Sequence, residues 1–150
     1  MHIKLRERAT KTGLDGRYTI IAAGAESLVT ELGKYGVLPG SVNAIVSILC
    51  LCGVPAVESK VVGVLYEMLA PGGQLVIWEH VLNRESVIAR GYQRLLQFSW
   101  PHLVGGCSLM EKTDEILKNA GNWKIVDLRR PKADPLASPI PYVFGTLVKA

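Results

Sequence analysis

The chain has 150 residues, of which 49% are hydrophobic and 20% are charged. This length and apolar content suit one globular domain and exclude a disordered or collagen-like chain. The longest apolar stretches, such as 44–57, fall short of the roughly 20 residues that a membrane-spanning helix needs. We therefore expect a single domain over residues 1–150 that has no membrane span.

The cysteines and the charges indicate the setting of the protein. Three cysteines are too few for a disulfide framework, and residues 1–8 contain charges but no apolar signal region. We therefore expect a reducing, cytoplasmic location. The net charge of +4 comes from basic clusters within 1–17 and 124–132, which lack interleaved aromatic residues. These clusters are interpreted as solvated surface, and no nucleic-acid partner is expected.

Helices and strands are predicted to alternate in the first half of the chain. An amphipathic segment over residues 2–12 precedes a β-branched strand over 18–23 and a short helix over 25–35. Residues 42–51 form an apolar run that is typical of a strand covered on both faces. Cys50 and Cys52 are two apart on that strand and would point to one face.

The alternation continues beyond residue 55. A helix over 55–69 ends before Pro71-Gly72-Gly73, and an apolar strand follows over 74–79. The periodicity of residues 83–99 predicts a helix that buries Ile88, Tyr92 and Leu95.

The last elements are one helix and two strands. Ser108 and Glu111 have the spacing of a capping box and predict a helix that ends near Gly121. Strands over 123–128 and 142–148 follow, separated by a proline-rich loop. The whole pattern favours an α/β sheet with helices on its faces.

Residues 69–80, with the sequence LAPGGQLVIWEH, resemble the class I S-adenosylmethionine-dependent methyltransferases, in which a Leu-x-Pro-Gly-Gly segment often precedes the fifth strand. Ala25-Glu26 resembles the acidic position near adenine in that family. Trp100 and residues 106–109 look most like its small-molecule and thiol methyltransferase branch. The resemblance implies a truncated Rossmann-like methyltransferase fold: a mostly parallel sheet of about five strands with an antiparallel terminal strand.

One family feature is missing from the sequence. No Gly-x-Gly-x-x-Gly pattern follows an apolar strand, although such a loop lets the family's backbone approach the cofactor. By its motifs the chain corresponds to the C-terminal two thirds of such a domain, so no cofactor is expected for the isolated chain. The absent strands would expose an apolar sheet edge, and we expect a homodimer, edge-paired or intertwined, to cover it.

The candidate catalytic residues lie at the end of the third predicted strand. Glu79 and His80 occupy the carboxyl end, where ligands bind in open α/β sheets. A histidine there suits a general base near neutral pH, and the neighbouring carboxylate would orient it or raise its pKa. His102, after Trp100-Pro101, is a second candidate base.

Other residues are candidates for binding. Tyr92, Trp100, Cys50 and Cys107 are predicted to line an apolar substrate pocket. Ala25 and Glu26 would contact S-adenosylmethionine if it binds. No metal site is expected, because Cys50-x-Cys52 has no second paired motif and the other candidate ligands, Cys107, His80 and His102, are isolated in sequence.

Three functions are compatible with these residues. The first is a methyltransferase-derived tailoring enzyme that isomerises or cyclises a small apolar organic substrate by acid/base chemistry without methyl transfer. The second is an S-adenosylmethionine-dependent methyltransferase completed by another chain or segment. The third is a non-catalytic binding subunit. The missing glycine-rich loop places the first function slightly ahead of the second.

Overall fold

The computed structural model describes residues 2–14, 16–24, 27–54, 58–131 and 138–150. Its helices are α1 His2–Lys11, α2 Leu28–Gly33, α3 Glu58–Met68, α4 Val87–Gln97, α5 Trp100–Leu103 and α6 Thr113–Asn119. Its strands are β1 Val42–Ile48, β2 Leu69–His80, β3 Trp123–Arg129 and β4 Tyr142–Lys149, and a 3₁₀ turn covers Leu51–Gly53. No described helix has both the length and the apolar character that crossing a membrane requires.

The strands form one sheet in the order β1-β2-β4-β3. β1 and β2 are parallel, whereas β4 is antiparallel to both β2 and β3. Three strands therefore run in one direction, and the last strand of the chain runs against them. The predicted α/β fold, with a mostly parallel sheet and an antiparallel terminal strand, is confirmed.

The sheet has four strands in the described part of the chain, one fewer than the sequence indicates. The missing one is the strand predicted over 18–23, which has no regular secondary structure. Tyr18 is half-exposed, and Ile20 and Ile21 are only partly buried. β-branched residues favour a strand only where a neighbouring strand pairs with them, and no described strand pairs with this segment.

The core lies on the side of the sheet that α3 and α6 cover. Side chains from these two helices interdigitate with alternate residues of β2 and β4. The core residues include Val61, Val62, Leu65, Leu75, Ile77, Leu117, Val143 and Leu147. Burying a side chain of this size contributes about 1.5–3 kcal/mol, so this layer is the main source of stability.

The Pro71-Gly72-Gly73 segment joins α3 to the body of β2. A Cβ on Gly73 would lie 2.8 Å from the carbonyl oxygen of Ala70 and 2.9 Å from that of Val42. Only glycine fits this approach of two backbones, which is the physical reason for the second glycine of the motif.

Lys149 stabilises the same junction between α3 and β2 from the C-terminal strand. Its Nζ donates hydrogen bonds to the carbonyl oxygens of Tyr66 (2.9 Å) and Leu69 (2.8 Å), at the end of α3. A cation at this position satisfies carbonyls that have no partner within the helix and opposes the helix dipole. The C-terminal strand thereby fixes where α3 stops.

The prediction for α4 was wrong about which face is buried. Three residues expected in the core are exposed: Ile88, Tyr92 and Leu95. The buried residues are instead Ala89 and Gln93. The Gln93 amide donates to the carbonyl oxygen of Val81 (2.9 Å) and accepts from the amide of Asn83 (2.8 Å). These hydrogen bonds orient the helix, and hydrophobic periodicity alone does not reveal them.

The predicted capping box was also wrong. The helix begins at Thr113 rather than after Ser108, and it ends at Asn119. The Ser108 hydroxyl instead accepts hydrogen bonds from the amide of Met110 (3.2 Å) and from Nε2 of Gln97 (3.3 Å). Ser108 thus links the loop before α6 to the last residue of α4.

We predict that Gly145→Ala destabilises the protein by at least about 3 kcal/mol, because the new methyl group cannot be accommodated. Gly145 has φ +150°, and its Cβ would lie 1.9 Å from the carbonyl oxygen of Asp127 on β3. Gly91→Ala is the control, since its Cβ has no neighbour within 4 Å and alanine stabilises a helix by about 1 kcal/mol over glycine. Urea unfolding of both variants measures the difference. Equal stabilities would contradict the β3–β4 pairing.

Candidate functional site

The carboxyl ends of β1 and β2 lie side by side, because residues 44–48 pair in parallel with 74–78. Directly after β1 the chain leaves the sheet at Leu49, whose φ is +52° and whose amide donates to the carbonyl oxygen of Trp78 (2.8 Å). A leucine in the left-handed region costs about 1–2 kcal/mol. Such strain often marks a site that the surrounding structure holds in place.

Glu79 holds this turn from the neighbouring strand. Its carboxyl group is completely buried and accepts hydrogen bonds from the hydroxyl of Ser47 (2.6 Å) and from the amides of Cys50 (3.1 Å) and Cys52 (3.4 Å). The two amides belong to the turn itself. A carboxyl group that accepts backbone amides in this way offsets the strain at Leu49.

His80 faces a cluster of two thiols. Its Nδ1 lies 3.1 Å from Sγ of Cys107 and 3.5 Å from Sγ of Cys52, and the two sulfur atoms are 2.8 Å apart. All three side chains are buried. The cluster joins the 3₁₀ turn, the end of β2 and the loop that follows α5.

Burial determines the protonation states in this cluster. It lowers the pKa of the His80 imidazole from its usual value, and the Glu79 carboxylate acts in the opposite direction. Burial and the hydrogen bond with Cys107 raise the pKa of the Cys52 thiol far above its usual range. Both shifts favour the uncharged forms, which are the neutral imidazole and the protonated thiol.

Two aromatic rings border His80. The Tyr142 ring lies 4.6 Å away and the Trp100 ring 6.0 Å away, the latter edge-on. Trp100 is half-buried, and its indole nitrogen has no hydrogen-bond partner among the described residues. The structure therefore brings four of the predicted site residues together: Glu79, His80, Trp100 and Cys107.

The other predicted site residues lie elsewhere. His102 is exposed on α5 and Tyr92 on α4. Cys50 is exposed, and its thiol donates to the carbonyl oxygen of Ile48 (3.2 Å). The expectation that Cys50 and Cys52 share a face was wrong, because β1 ends at Ile48 and the turn points the two side chains apart. Ala25 and Glu26 lie outside the described residues.

A cavity of about 250 Å³ lies between β1, α3 and the segment that precedes α2. Its walls are mostly apolar, and they include Leu28, Ile45, Leu51, Val54, Val61 and Leu65. Ser47 and Cys50 line it at the turn after β1. Complete small-molecule sites usually measure about 300–1,000 Å³, so this space fits one ring of a ligand rather than a whole cofactor.

Sequence reasoning missed part of this arrangement. Ser47 was not singled out, although a polar residue within an apolar strand is a recognisable signal of a buried hydrogen bond. Nothing in the sequence links Cys52 to Cys107, which follows 55 positions later. The strained Leu49 has no signal in the sequence, since leucine rarely adopts a left-handed conformation.

No family model matches the chain. It is, however, 33% identical over 110 residues to the human (Homo sapiens) thiol S-methyltransferase TMT1B, an alignment that covers 73% of this chain and 45% of that protein. The chain belongs to the class I S-adenosylmethionine-dependent methyltransferase family. It spans about half the length of the curated relatives that it matches.

Two solved structures share the fold of this chain. The [4+2]-cyclase SpnF superimposes with a TM-score of 0.65 at 19% identity, over 95% of this chain and 61% of SpnF. PigF with SAH superimposes with a TM-score of 0.57 at 18% identity, over 99% of this chain and 40% of PigF. The chain therefore has the Rossmann-like methyltransferase architecture that its sequence motifs indicate.

We predict that Glu79→Ala lowers the free energy of unfolding by about 3 kcal/mol, because it leaves buried donors unsatisfied and releases the strained turn. Glu67→Ala removes an exposed carboxylate on α3 and is the matched control. Hydrogen exchange at the amides of Cys50 and Cys52 is expected to accelerate in the Glu79 variant alone. Unchanged protection of both amides would contradict the anchoring role of Glu79.

Proposed function

We propose that the chain provides the methyl-acceptor side of an S-adenosylmethionine-dependent methyltransferase whose acceptor is a small thiol. The observation that supports this most is the 33% identity to a protein named thiol S-methyltransferase. The convergence of β1, β2 and α5 on one edge of the sheet supports it as well, because ligands bind at this edge in open α/β folds. The missing glycine-rich loop favours an isomerase or cyclase over a methyltransferase. The similarity to thiol methyltransferases is the reason that methyl transfer is now ranked first.

The reaction proposed is an in-line displacement at carbon. The acceptor sulfur forms a bond to the methyl carbon as the bond from that carbon to the sulfonium breaks, and the thiol proton leaves to a base. A free thiol has a pKa of about 8.5, so a weak base is sufficient to remove its proton near neutral pH. We assign proton acceptance to His102, which is exposed, rather than to His80, which is buried.

The described residues suit one part of S-adenosylmethionine. The apolar cavity between β1 and α3 has the size and character for an adenine ring, with Leu28 and Ile45 among its walls. Gly24 lines it too. We assign Ala25 and Glu26 to the adenine end of the cofactor on their resemblance to the family's acidic position there. No described residue of this cavity offers a carboxylate for the ribose, which is why the cofactor is expected to need further contacts.

The second candidate is a cofactor-independent cyclase or isomerase of natural-product tailoring. The observation that favours it is the superposition on the [4+2]-cyclase SpnF, which covers 95% of this chain. Orientation of an apolar substrate beside Trp100 and Tyr92 is the contribution that this alternative requires of the protein. Methyl transfer ranks first, because the sequence identity to thiol methyltransferases exceeds that to SpnF.

We propose that a second copy of the chain pairs with the outer edge of β1. In the described part of the chain no strand pairs with this edge, and the side chains of Val46 and Ile48, on the uncovered face of β1, are 64% and 60% exposed. Trp78 extends the same apolar face. Because the described cysteines are free thiols, a reducing, cytoplasmic setting belongs to the same proposal.

The methyl-transfer proposal predicts that the chain carries a labelled methyl group from S-adenosylmethionine to 2-mercaptoethanol above the protein-free rate. Leu28→Trp places a larger ring at the wall of the cavity and is expected to lower this rate at least about tenfold, a loss of about 1.4 kcal/mol. Leu38→Trp places the same ring on the exposed turn before β1 and is the control. Mass spectrometry of the methyl sulfide measures both.

Two results would count against methyl transfer. One is the absence of any heat or thermal shift with millimolar S-adenosylmethionine together with the absence of methyl sulfide. That result would leave the cyclase or isomerase function standing. The other is an equal rate in the two tryptophan variants, which would remove the cavity from the reaction.

Sedimentation velocity tests the dimer. We predict a dimer at tens of micromolar and its dissociation in the double variant Val46→Lys/Ile48→Lys, because charged residues on a sheet edge prevent pairing. Ile125→Lys, on the exposed face of β3 at the other edge, is the control and is expected to remain dimeric. A monomer in the unsubstituted protein would refute the edge pairing.

A further inference from the structure

Cys52, His80 and Cys107 form a cluster that methyl transfer as proposed does not use. They come from three segments far apart in sequence: the 3₁₀ turn after β1, the end of β2 and the loop after α5. All three are buried, and their sulfur and nitrogen atoms lie within 4.8 Å of one another. Two thiols and one imidazole that face a common point are the donors that zinc prefers.

We propose that Cys52, His80 and Cys107 bind one Zn²⁺ ion through their Sγ and Nδ1 atoms. Around a tetrahedral zinc ion, a nitrogen and a sulfur ligand are separated by about 3.6 Å and two sulfur ligands by about 3.8 Å. The Nδ1–Sγ distances of 3.1 and 3.5 Å are already close to this geometry. The sulfur atoms are 2.8 Å apart and must separate by about 1 Å when the ion enters.

The surrounding backbone permits that movement. Cys107 lies in a loop outside the helices and strands, directly after Gly105 and Gly106, which have φ values of +57° and +86°. The amide of Ser108 donates to the carbonyl oxygen of Cys52 (2.7 Å), so the two cysteine segments are already joined by a backbone hydrogen bond. The side chains therefore reorient while the segments that carry them stay together.

The charges of the site also favour a divalent ion. Zinc binding releases one proton from each thiol, and the two thiolates balance the 2+ charge, with the neutral imidazole as third ligand. The ion and its three ligands then carry no net charge, so no uncompensated ion is added to the buried cluster beside Glu79. Water is the remaining ligand, since the described residues supply three.

A disulfide between Cys52 and Cys107 is the competing chemistry. It would require an oxidant that removes two electrons and two protons from the thiols, and it would give His80 no part. The position of Nδ1 within 3.5 Å of both sulfur atoms is what favours the metal. The inference depends on these three side chains and not on the reaction that the protein catalyses.

The test uses the full chain, reduced and handled without oxygen, and titrated with Co²⁺ and with Zn²⁺. We expect one ion per chain, a thiolate-to-cobalt absorption band, and a higher melting temperature with zinc. Cys52→Ser and Cys107→Ser are expected to weaken binding at least about a hundredfold. Cys50→Ser, which removes the exposed thiol two positions away, is the matched control and is expected to bind normally.

Alkylation of the unsubstituted protein decides the matter even where a variant fails to fold. Zinc is expected to slow the reaction of iodoacetamide with Cys52 and Cys107 and to leave Cys50 unaffected, as peptide mass spectrometry would show. The absence of a thiolate-to-cobalt band at millimolar cobalt would overturn the proposal. A Cys52–Cys107 disulfide that forms on exposure to air despite stoichiometric zinc would overturn it too.

Discussion

The buried carboxyl group of Glu79 is the constraint on which the candidate site depends. It accepts two backbone amides of the turn after β1 and the hydroxyl of Ser47, with no exposure to water. Without these hydrogen bonds nothing would offset the left-handed conformation of Leu49. Because the turn is held in this way, Cys52 lies beneath His80 and Cys50 points outwards. A single side chain on β2 thus positions a segment of its neighbouring strand.

The direction of the strands explains why the site forms at the carboxyl ends of β1 and β2. β1, β2 and β3 point the same way, so the segments that leave the sheet after β1 and β2 emerge together. α5 reaches this edge through Trp100, whose ring borders His80. At the opposite end of the strands, Lys149 binds the carbonyl oxygens at the end of α3, and Gly73 of β2 packs against neighbouring backbone. The candidate binding site therefore lies at one end of the strands, and these stabilising contacts lie at the other.

The sequence predicts the elements that short-range patterns define. The apolar run before Glu79, the helix that ends before Pro71 and the two C-terminal strands lie where periodicity and glycine place them. The same patterns fail where distant hydrogen bonds decide. Gln93 turns α4 so that its apolar face is exposed, and Glu79 ends β1 three residues early by drawing the chain out of the sheet. The meeting of Cys52, His80 and Cys107 is likewise invisible in sequence, because only the folded topology makes them neighbours.

The exposed apolar face of α4 affects how the protein would behave in a common assay. Phe98 is 88% exposed just beyond that helix, and Leu95 and Ile88 are 71% and 74% exposed along it. Dyes such as ANS bind surfaces of this kind and are widely used to diagnose molten globules. The core between the sheet, α3 and α6 is nevertheless buried, with Leu75, Leu117 and Leu147 inaccessible to solvent. Strong dye fluorescence from this protein would therefore report an uncovered helix on a folded domain, and near-ultraviolet circular dichroism would distinguish the two.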